Sequence, residues 1–276
     1  MTHDQILHHL QMDGYCVIDG VIPPGEVDAI RESMVKTLVS IDDKNACSES
    51  MDKGSFLKFD QSIAPYLADR KIMDVAEALF GPHVRADAGA IVVRHPTPDR
   101  ASKRPGLHAE YPFAGSLEAH VHPPFPDAVM GLQTIWFLTP FTPDNGATWV
   151  VPGSHRMNTN PGMRDMGIDF REAYPTELQA LGPAGSVLMW DVRTWHCAGF
   201  NFGDQDRVFF TTRYVPWWFN LDIDVSASEG SIHLVNEEDR RNKLLPTEVY
   251  KALPEAVKPL LIHRVDQAAV KCSTPT

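Results

Sequence analysis

Cysteine is scarce in this sequence. Four cysteines stand among 276 residues, and no two of them form a C-x-x-C pair. Disulfide-rich secreted domains and zinc ribbons depend on paired cysteines, so the composition argues against both classes and favours a reducing compartment. The polar N-terminal segment also lacks the charged-then-apolar leader of a secretion signal. We therefore expect a cytoplasmic protein.

Basic residues are outnumbered by acidic ones. The chain has 25 lysines and arginines against 36 aspartates and glutamates, which gives a formal net charge of −11. Nucleic-acid phosphates attract clustered positive charge, so we expect no nucleic-acid partner. The sequence also lacks an apolar run of the roughly 18 residues that a membrane helix needs, so we expect no membrane partner. The expected partner is a small-molecule substrate, and the sequence makes no prediction of oligomeric state.

The pattern of apolar residues divides the chain into three parts of one domain, residues 1–276. Residues 1–82 are predicted to form a helix–strand–helix support, 83–220 a β core and 221–276 a helical tail. The core prediction rests on short runs of Val, Ile, Trp, Phe and Thr between Pro, Gly, Asp and Asn turns, which are typical of a β-sandwich or jelly roll. The polar stretch 41–60 is predicted to be a surface loop. The predicted strands are 15–18, 90–94, 131–138, 147–151, 186–190 and 207–215.

Two histidines and a glutamate form the most specific pattern. His108 and Glu110 are two residues apart, a spacing that places both side chains on one face of a strand. His196 follows another predicted strand far downstream. Two imidazoles and one carboxylate are the ligand set of a mononuclear Fe(II) centre with open coordination positions. The same residues also have simpler interpretations, since an H-x-E pair arises by chance and His196 alone is compatible with a structural histidine.

Arg207 lies eleven residues after His196 and begins an apolar strand. A guanidinium in that position needs an anionic partner if it is buried. The far carboxylate of an acidic co-substrate would provide one in bidentate geometry. Alternatively, Arg207 pairs with Asp204 or Asp206 on the preceding turn. Arg213 lies on the same strand face and is a weaker candidate for substrate contact.

His120 and His122 form a second motif, H-x-H, between predicted strands. Such a pair could bind a metal in a cupin, which leaves a metal hydrolase as a third candidate function. Prolines follow the pair directly, and proline is rare inside strands. We therefore favour substrate contact over metal binding for these two histidines.

Three longer segments carry further motifs: residues 14–24, residues 136–155 with their Asn-Gly and Pro-Gly-Ser-His turns, and residues 185–207. Together with His108-x-Glu110, they resemble the phytanoyl-CoA dioxygenase family of Fe(II)/2-oxoglutarate-dependent oxygenases. The resemblance covers roughly residues 5–216. It implies a double-stranded β-helix, a cupin-like jelly-roll barrel that is mainly β with flanking helices.

The resemblance also implies roles for individual residues. His108, Glu110 and His196 would bind Fe(II), and Arg207 would bind 2-oxoglutarate together with Thr148. The usual family motif is His-x-Asp, so Glu110 is a departure by one methylene. Phe209 stands where many related oxygenases have serine, which leaves more of the co-substrate contact to Thr148.

The function implied by the resemblance is oxidation, by default hydroxylation, of an unactivated C–H bond of a small-molecule metabolite. O₂ and 2-oxoglutarate are the co-substrates, and succinate and CO₂ are released. The alternative is a non-catalytic jelly-roll protein that binds a small molecule at a decayed metal site. Candidate substrate residues at the rim of the barrel are Arg94, Tyr111, Phe113, His120 and His122.

Overall fold

The structure, a computed structural model, describes residues 1–41, 50–97, 105–110, 127–157, 161, 169–219 and 243–265. Five helices are present in these ranges: α1 His3–Met12, α2 Pro24–Ile41, α3 Arg70–Phe80, α4 Thr247–Ala252 and α5 Lys258–Leu261. The ten strands are β1 Tyr15–Ile18, β2 Ser50–Gly54, β3 Val84–Ala86, β4 Ala90–Arg94, β5 Leu132–Phe137, β6 Trp149–Val150, β7 Leu178–Gln179, β8 Val187–Asp191, β9 His196–Cys197 and β10 Arg207–Pro216.

The strands form two antiparallel sheets. The large sheet has seven strands in the order β1-β8-β5-β10-β4-β2, with β3 also paired to β10. The small sheet has the order β7-β6-β9. The fold is therefore mainly antiparallel β with flanking helices, as the sequence predicts. The first 82 residues supply β1 and β2 to the large sheet as well as three helices, whereas the division of residues 1–276 into three parts stays a prediction.

The two faces of the large sheet have separate cores. One face packs against the helices in an apolar cluster that includes Trp136, Phe210 and Tyr214. The alternate residues point to the other face, where Phe137 and Phe209 belong to a second cluster. This alternation follows from the two-residue period of a strand. The second face is the one that faces the candidate site.

Gly14 connects the end of α1 to the strands around the site. Its φ is +84°, and an added Cβ would lie 2.4 Å from His155 Nδ1 and 2.6 Å from Thr194 Oγ1. Only glycine fits this conformation and this close approach. The Gly14 carbonyl accepts hydrogen bonds from the Asp191 amide (2.9 Å) and from the Thr194 hydroxyl (2.9 Å).

One sequence prediction in this region is wrong. The stretch 41–60 is not simply a surface loop, because it contains β2 and a 3₁₀ turn at Phe56–Lys58. Phe56 and Leu57 are fully buried. The strand forms by pairing with β4. The sequence Ser-Met-Asp-Lys-Gly has low β propensity, so it does not predict this strand. The predicted helical tail is represented by α4 and α5, while 221–242 and 266–276 lie outside the described residues.

Candidate metal and co-substrate site

The backbones of His108 and His196 are paired directly. The His108 amide donates to the His196 carbonyl and the His196 amide donates to the His108 carbonyl, both at 2.9 Å. Residues opposite each other in an antiparallel pair project their side chains to the same side. The two imidazole rings accordingly lie 4.3 Å apart between centroids.

The outer nitrogen of each imidazole is held by a backbone carbonyl. Nδ1 of His196 lies 2.9 Å from the Thr194 carbonyl oxygen, and Nδ1 of His108 lies 3.2 Å from the Gly106 carbonyl oxygen. Because a carbonyl only accepts, each Nδ1 must carry the proton in these contacts. With Nδ1 protonated, each ring can present Nε2 to a metal once Nε2 has no proton, and this is the arrangement that surrounds metal-binding histidines.

Glu110 is fixed beside the two histidines. Its amide donates to the Val192 carbonyl at 3.0 Å, which continues the backbone pairing one step past His108. One carboxylate oxygen, Oε1, lies 3.1 Å from His196 Nε2. The other, Oε2, accepts a hydrogen bond from the Trp190 indole nitrogen at 3.3 Å. The carboxylate is therefore oriented by β8 and by β9.

The electrostatics favour an ionised Glu110. Burial alone raises the pKa of its carboxyl, but the hydrogen bond and charge of His196, with further charge from Arg213 and His108, lower the pKa to about 2. For His196, burial lowers the pKa, and the charge and hydrogen bond of Glu110 outweigh that effect and raise it. Proximity to His196, together with burial, lowers the pKa of His108.

These three side chains form a candidate metal centre. One donor atom from each of His108, Glu110 and His196 lies within 4.8 Å of the others. In the described part of the chain, no other group of three His, Cys, Asp or Glu residues has this geometry. Two imidazole nitrogens and one carboxylate oxygen on adjacent backbone segments fit the donor set of a facial Fe(II) site.

Arg207 is a fully buried cation on the second face of the large sheet, the face that carries Phe209. Its Nη2 donates to the Gly199 carbonyl at a long 3.5 Å, and its Nε and Nη1 have no hydrogen-bond partner among the described residues. The guanidinium lies 5.0 Å from the Phe141 ring centroid and 5.5 Å from that of Phe209. Burial and the neighbouring charge of Arg94 lower the pKa of Arg207 to about 9.

The sequence left open whether a nearby aspartate neutralises Arg207. Asp206 instead pairs with His95 at 2.8 Å, and Arg207 has no ion pair with a described carboxylate. A buried cation without a counter-ion is costly, so the position fits an exogenous carboxylate. A carboxylate of 2-oxoglutarate bound here would accept hydrogen bonds from the unpartnered Nε and Nη1 of Arg207.

The other predicted site residues divide into two groups. Arg94 pairs directly opposite Arg207 in the β4–β10 register, and its Nε is buried without a partner among the described residues. Thr148 is buried and immediately precedes β6, the strand that pairs with the segment bearing His196. Tyr111, Phe113, His120 and His122 lie outside the described residues.

Trp190 is a site residue that the sequence analysis missed as a contact of Glu110. The apolar run around it indicated a buried strand, but nothing in that run distinguishes an indole that donates to a carboxylate from one that only packs. The contact depends on the position of Glu110, 80 residues earlier in the chain. Sequence separation of this size hides the pairing from any local pattern.

Comparison with known proteins identifies the family. The family model described as phytanoyl-CoA dioxygenase (PhyH) matches residues 10–209, more than half of the chain. The chain belongs to the phytanoyl-CoA dioxygenase family. This confirms the resemblance drawn from the motifs. One relative is the uncharacterized protein Rv1501 of Mycobacterium tuberculosis. It is 24% identical over 253 residues, which cover 88% of this chain and 86% of the relative.

Two solved structures of similar fold have bound ligands. HygX of Streptomyces hygroscopicus, solved with nickel, 2-oxoglutarate and hygromycin B, is 18% identical, with a TM-score of 0.61, and the match covers 85% of this chain and 95% of HygX. The epimerase SnoN, solved with Fe³⁺, α-ketoglutarate and nogalamycin RO, is 19% identical, with a TM-score of 0.58, covering 78% and 83%. At these identities the likeness shows the fold, and it confirms the jelly-roll prediction for this family member. In the described residues, no helix is both long and apolar enough to cross a membrane.

Proposed function

We propose that this family member is an Fe(II)/2-oxoglutarate-dependent dioxygenase that hydroxylates an unactivated C–H bond of a small-molecule metabolite. The observation that carries the proposal is the buried, carboxylate-free Arg207 in the same jelly roll as the His108, Glu110 and His196 cluster. The first feature requires an anion and the second requires a cation. A metal chelated by an acidic co-substrate satisfies both.

In this proposal His108, Glu110 and His196 hold the iron, and Arg207 with Thr148 holds 2-oxoglutarate. Iron with its co-substrates supplies the oxidising power to break a C–H bond, while 2-oxoglutarate is converted to succinate and CO₂. The carbonyls of Gly106 and Thr194 fix the imidazole rings, and the Trp190 indole fixes the carboxylate. The negative charge of Glu110 offsets part of the charge of a divalent metal.

The ligand set supports an oxygenase rather than a binding protein with a decayed site. Each of the three donor side chains has a hydrogen bond that orients it: the two imidazoles with backbone carbonyls and the carboxylate with the Trp190 indole. A non-catalytic site would not need this orientation. The presence of the Glu110 carboxylate also disfavours a halogenase, whose halide requires a small residue at this position. Nickel and 2-oxoglutarate in HygX, and Fe³⁺ and α-ketoglutarate in SnoN, support the same ligands here.

The decisive experiment measures iron content and 2-oxoglutarate-dependent succinate formation for the wild type, Glu110→Ala and Glu110→Asp in the presence of a metabolite library. We expect wild-type succinate formation, none with Glu110→Ala, and partial activity with Glu110→Asp, because the shorter carboxylate is the usual family ligand. Equal succinate from wild type and Glu110→Ala would require other ligands. Iron binding without any succinate would favour the non-catalytic binding protein.

The His120 and His122 hydrolase is tested in the same assay. A His122→Ala variant that loses metal, while His196→Ala keeps it, would replace the proposed centre with one at the H-x-H motif. We expect the reverse, since only His196 belongs to the described metal-binding geometry.

A further inference from the structure

Two arginines lie side by side on the face of the large sheet that carries the candidate site. In β4, Ile91 and Val93 belong to the apolar cluster of the helix face, so Arg94 points to the opposite face. Arg94 is directly opposite Arg207 of β10 in the antiparallel register. Directly opposed residues share one face, with their Cβ atoms about 4.5–5.5 Å apart. The two guanidinium groups therefore extend from neighbouring points of one surface.

Neither guanidinium has an anionic partner among the residues that the structure describes. Nε of Arg94, and Nε and Nη1 of Arg207, are buried without a hydrogen-bond partner. Arg94 is partly buried and Arg207 is fully buried. The neighbouring acid, Asp206, is paired with His95 at 2.8 Å. Two positive charges thus lie on this part of the sheet without a compensating carboxylate from the described part of the chain.

This arrangement is unfavourable for the ligand-free fold. Like charges directly opposite each other on a sheet repel, and a buried cation without a counter-ion is costly. The effect reaches Arg207, because burial and the charge of Arg94 both lower its pKa, to about 9. Stability alone would favour a carboxylate or an apolar side chain at one of the two positions. The pair is instead suited to an anion that binds between the two side chains.

The segment that carries His196 also positions both arginines. The carbonyl of Gly199 accepts a long hydrogen bond of 3.5 Å from Nη2 of Arg207. Asn201, which is almost completely buried, donates from Nδ2 to the Arg94 carbonyl at 2.9 Å. One stretch of chain therefore links a candidate metal donor to the last residue of β4 and to the first residue of β10. This connection fixes the arginine pair relative to the candidate metal centre.

We infer that Arg94 and Arg207 together bind one carboxylate, the distal carboxylate of 2-oxoglutarate. The two oxygens of a carboxylate offer about four acceptor sites, and a guanidinium donates from a planar, bidentate fork. One carboxylate can therefore accept hydrogen bonds from both side chains and offset their repulsion. The identity of this ligand rests on the proposed function, which assigns 2-oxoglutarate to Arg207.

The inference changes the role of Arg94. The sequence predicts that Arg94 contacts the primary substrate at the rim of the barrel. An anion bound to Arg207 lies within reach of Arg94, because the two side chains start from opposed positions. Arg94 therefore contributes to the affinity for the co-substrate and to its selection over 2-oxo acids that have no second carboxylate.

The test compares 2-oxoglutarate with 2-oxovalerate, in which a methyl group replaces the distal carboxylate. Binding of each ligand to nickel-loaded protein is measured by calorimetry for the wild type, Arg94→Gln and Arg94→Lys. Arg85→Gln is the matched control, because Arg85 is a partly buried arginine opposite Val215 of β10, eight residues from Arg207. Urea unfolding of the ligand-free proteins is measured in parallel.

We expect Arg94→Gln to weaken 2-oxoglutarate binding tenfold or more, as the loss of a charged hydrogen bond does, and to leave 2-oxovalerate binding unchanged. Arg94→Lys should give an intermediate affinity, because lysine keeps the charge but not the bidentate geometry. Nickel affinity should not change in either variant, and Arg85→Gln should match the wild type. Ligand-free Arg94→Gln should be at least as stable as the wild type, because one of two repelling charges is gone.

Unchanged 2-oxoglutarate affinity in Arg94→Gln would overturn the inference and leave the proposed function standing, with Arg94 returned to the primary substrate. An equal loss of 2-oxoglutarate and 2-oxovalerate binding, or a lower free energy of unfolding in Arg94→Gln, would show a structural role and overturn it as well. Binding of 2-oxoglutarate that depends on Arg94, without any succinate formation, would contradict the proposed function and keep the carboxylate site. Absence of 2-oxoglutarate binding to the wild type would contradict both.

Discussion

The two faces of the large sheet are built from the same strands but have different chemistry. On β10, Phe210, Thr212 and Tyr214 face the helices, and Arg207, Phe209, Thr211 and Arg213 face the site. The helix face is closed by large apolar side chains. The site face combines aromatic residues with two arginines, Arg213 and the fully buried Arg207. The apolar cluster on the helix face stabilises the sheet. The site face can therefore carry polar groups whose burial is energetically costly, such as Arg207.

The largest expected effect comes from removing one of the candidate metal donors towards which the site face of the large sheet is directed. His196→Ala should reduce iron content to background and abolish 2-oxoglutarate-dependent activity, since two remaining donors do not complete the facial set. The protein should stay folded, because the helix-face core is untouched. Iron is measured by elemental analysis and folding by circular dichroism. His3→Ala, at an exposed histidine of α1, is the control, and full iron content in His196→Ala would refute the ligand assignment.

Adjacent phenylalanines of β10 test the two faces directly. Phe210 is fully buried among the helix-face residues, so Phe210→Ala should lower the free energy of unfolding by about 3–5 kcal/mol, from lost burial and the cavity left behind. Phe209 packs instead near the Arg207 guanidinium. Phe209→Ala should therefore weaken 2-oxoglutarate binding, which Phe210→Ala should leave intact in the folded protein. Urea unfolding and calorimetry measure the two quantities, and equal effects on both would show that the faces are not independent.

Arg207 offers a test that separates co-substrate binding from the stability of the fold. Arg207→Lys should weaken 2-oxoglutarate affinity tenfold or more, because lysine cannot form the bidentate contact, and a charged hydrogen bond is worth about 1.5–3 kcal/mol. Arg207→Met should abolish the same binding without lowering the stability of the ligand-free protein, since it removes a buried cation that lacks a carboxylate partner. Ligand binding by calorimetry and urea unfolding are compared across both variants. Unchanged 2-oxoglutarate affinity would assign Arg207 to another ligand.

The smallest expected effect concerns Asp60 on the helix side. Burial raises the pKa of its carboxyl, but hydrogen bonds from Ser62, Ser33 and Thr37 outweigh burial and lower the pKa below the ordinary 3.8. A carboxyl whose pKa is lower in the folded state than in the unfolded state stabilises the fold at pH values above the unfolded-state pKa. This stabilisation is lost as the pH falls through the folded-state pKa. Asp60→Asn should therefore cost about 1 kcal/mol at neutral pH and progressively less below pH 3.8. Urea unfolding across pH measures this, with exposed Asp28→Asn as control, and a pH-independent difference would exclude the ionisation.

Local patterns in the sequence were sufficient to predict the strands that consist of a short run of apolar and β-branched residues. The runs at 15–18, 90–94 and 207–215 predicted strands, and β1, β4 and β10 confirm them. The polar run that forms β2 was not predictable, because its pairing with β4 and the burial of Phe56 are tertiary effects. For the site, residue types and the two-residue spacing of His108 and Glu110 selected the candidate donors. Their roles as iron ligands stay predictions.

The sequence by itself determined the residue types of the site, the alternation that separates the two sheet faces, and the family. Only the tertiary structure decided that His196 lies opposite His108, that Trp190 holds Glu110, and that Asp206 pairs with His95 rather than with Arg207. The physical reason is that strand register and chain return set these contacts across tens to hundreds of residues, and a local pattern contains no information about which distant backbone will supply the partner.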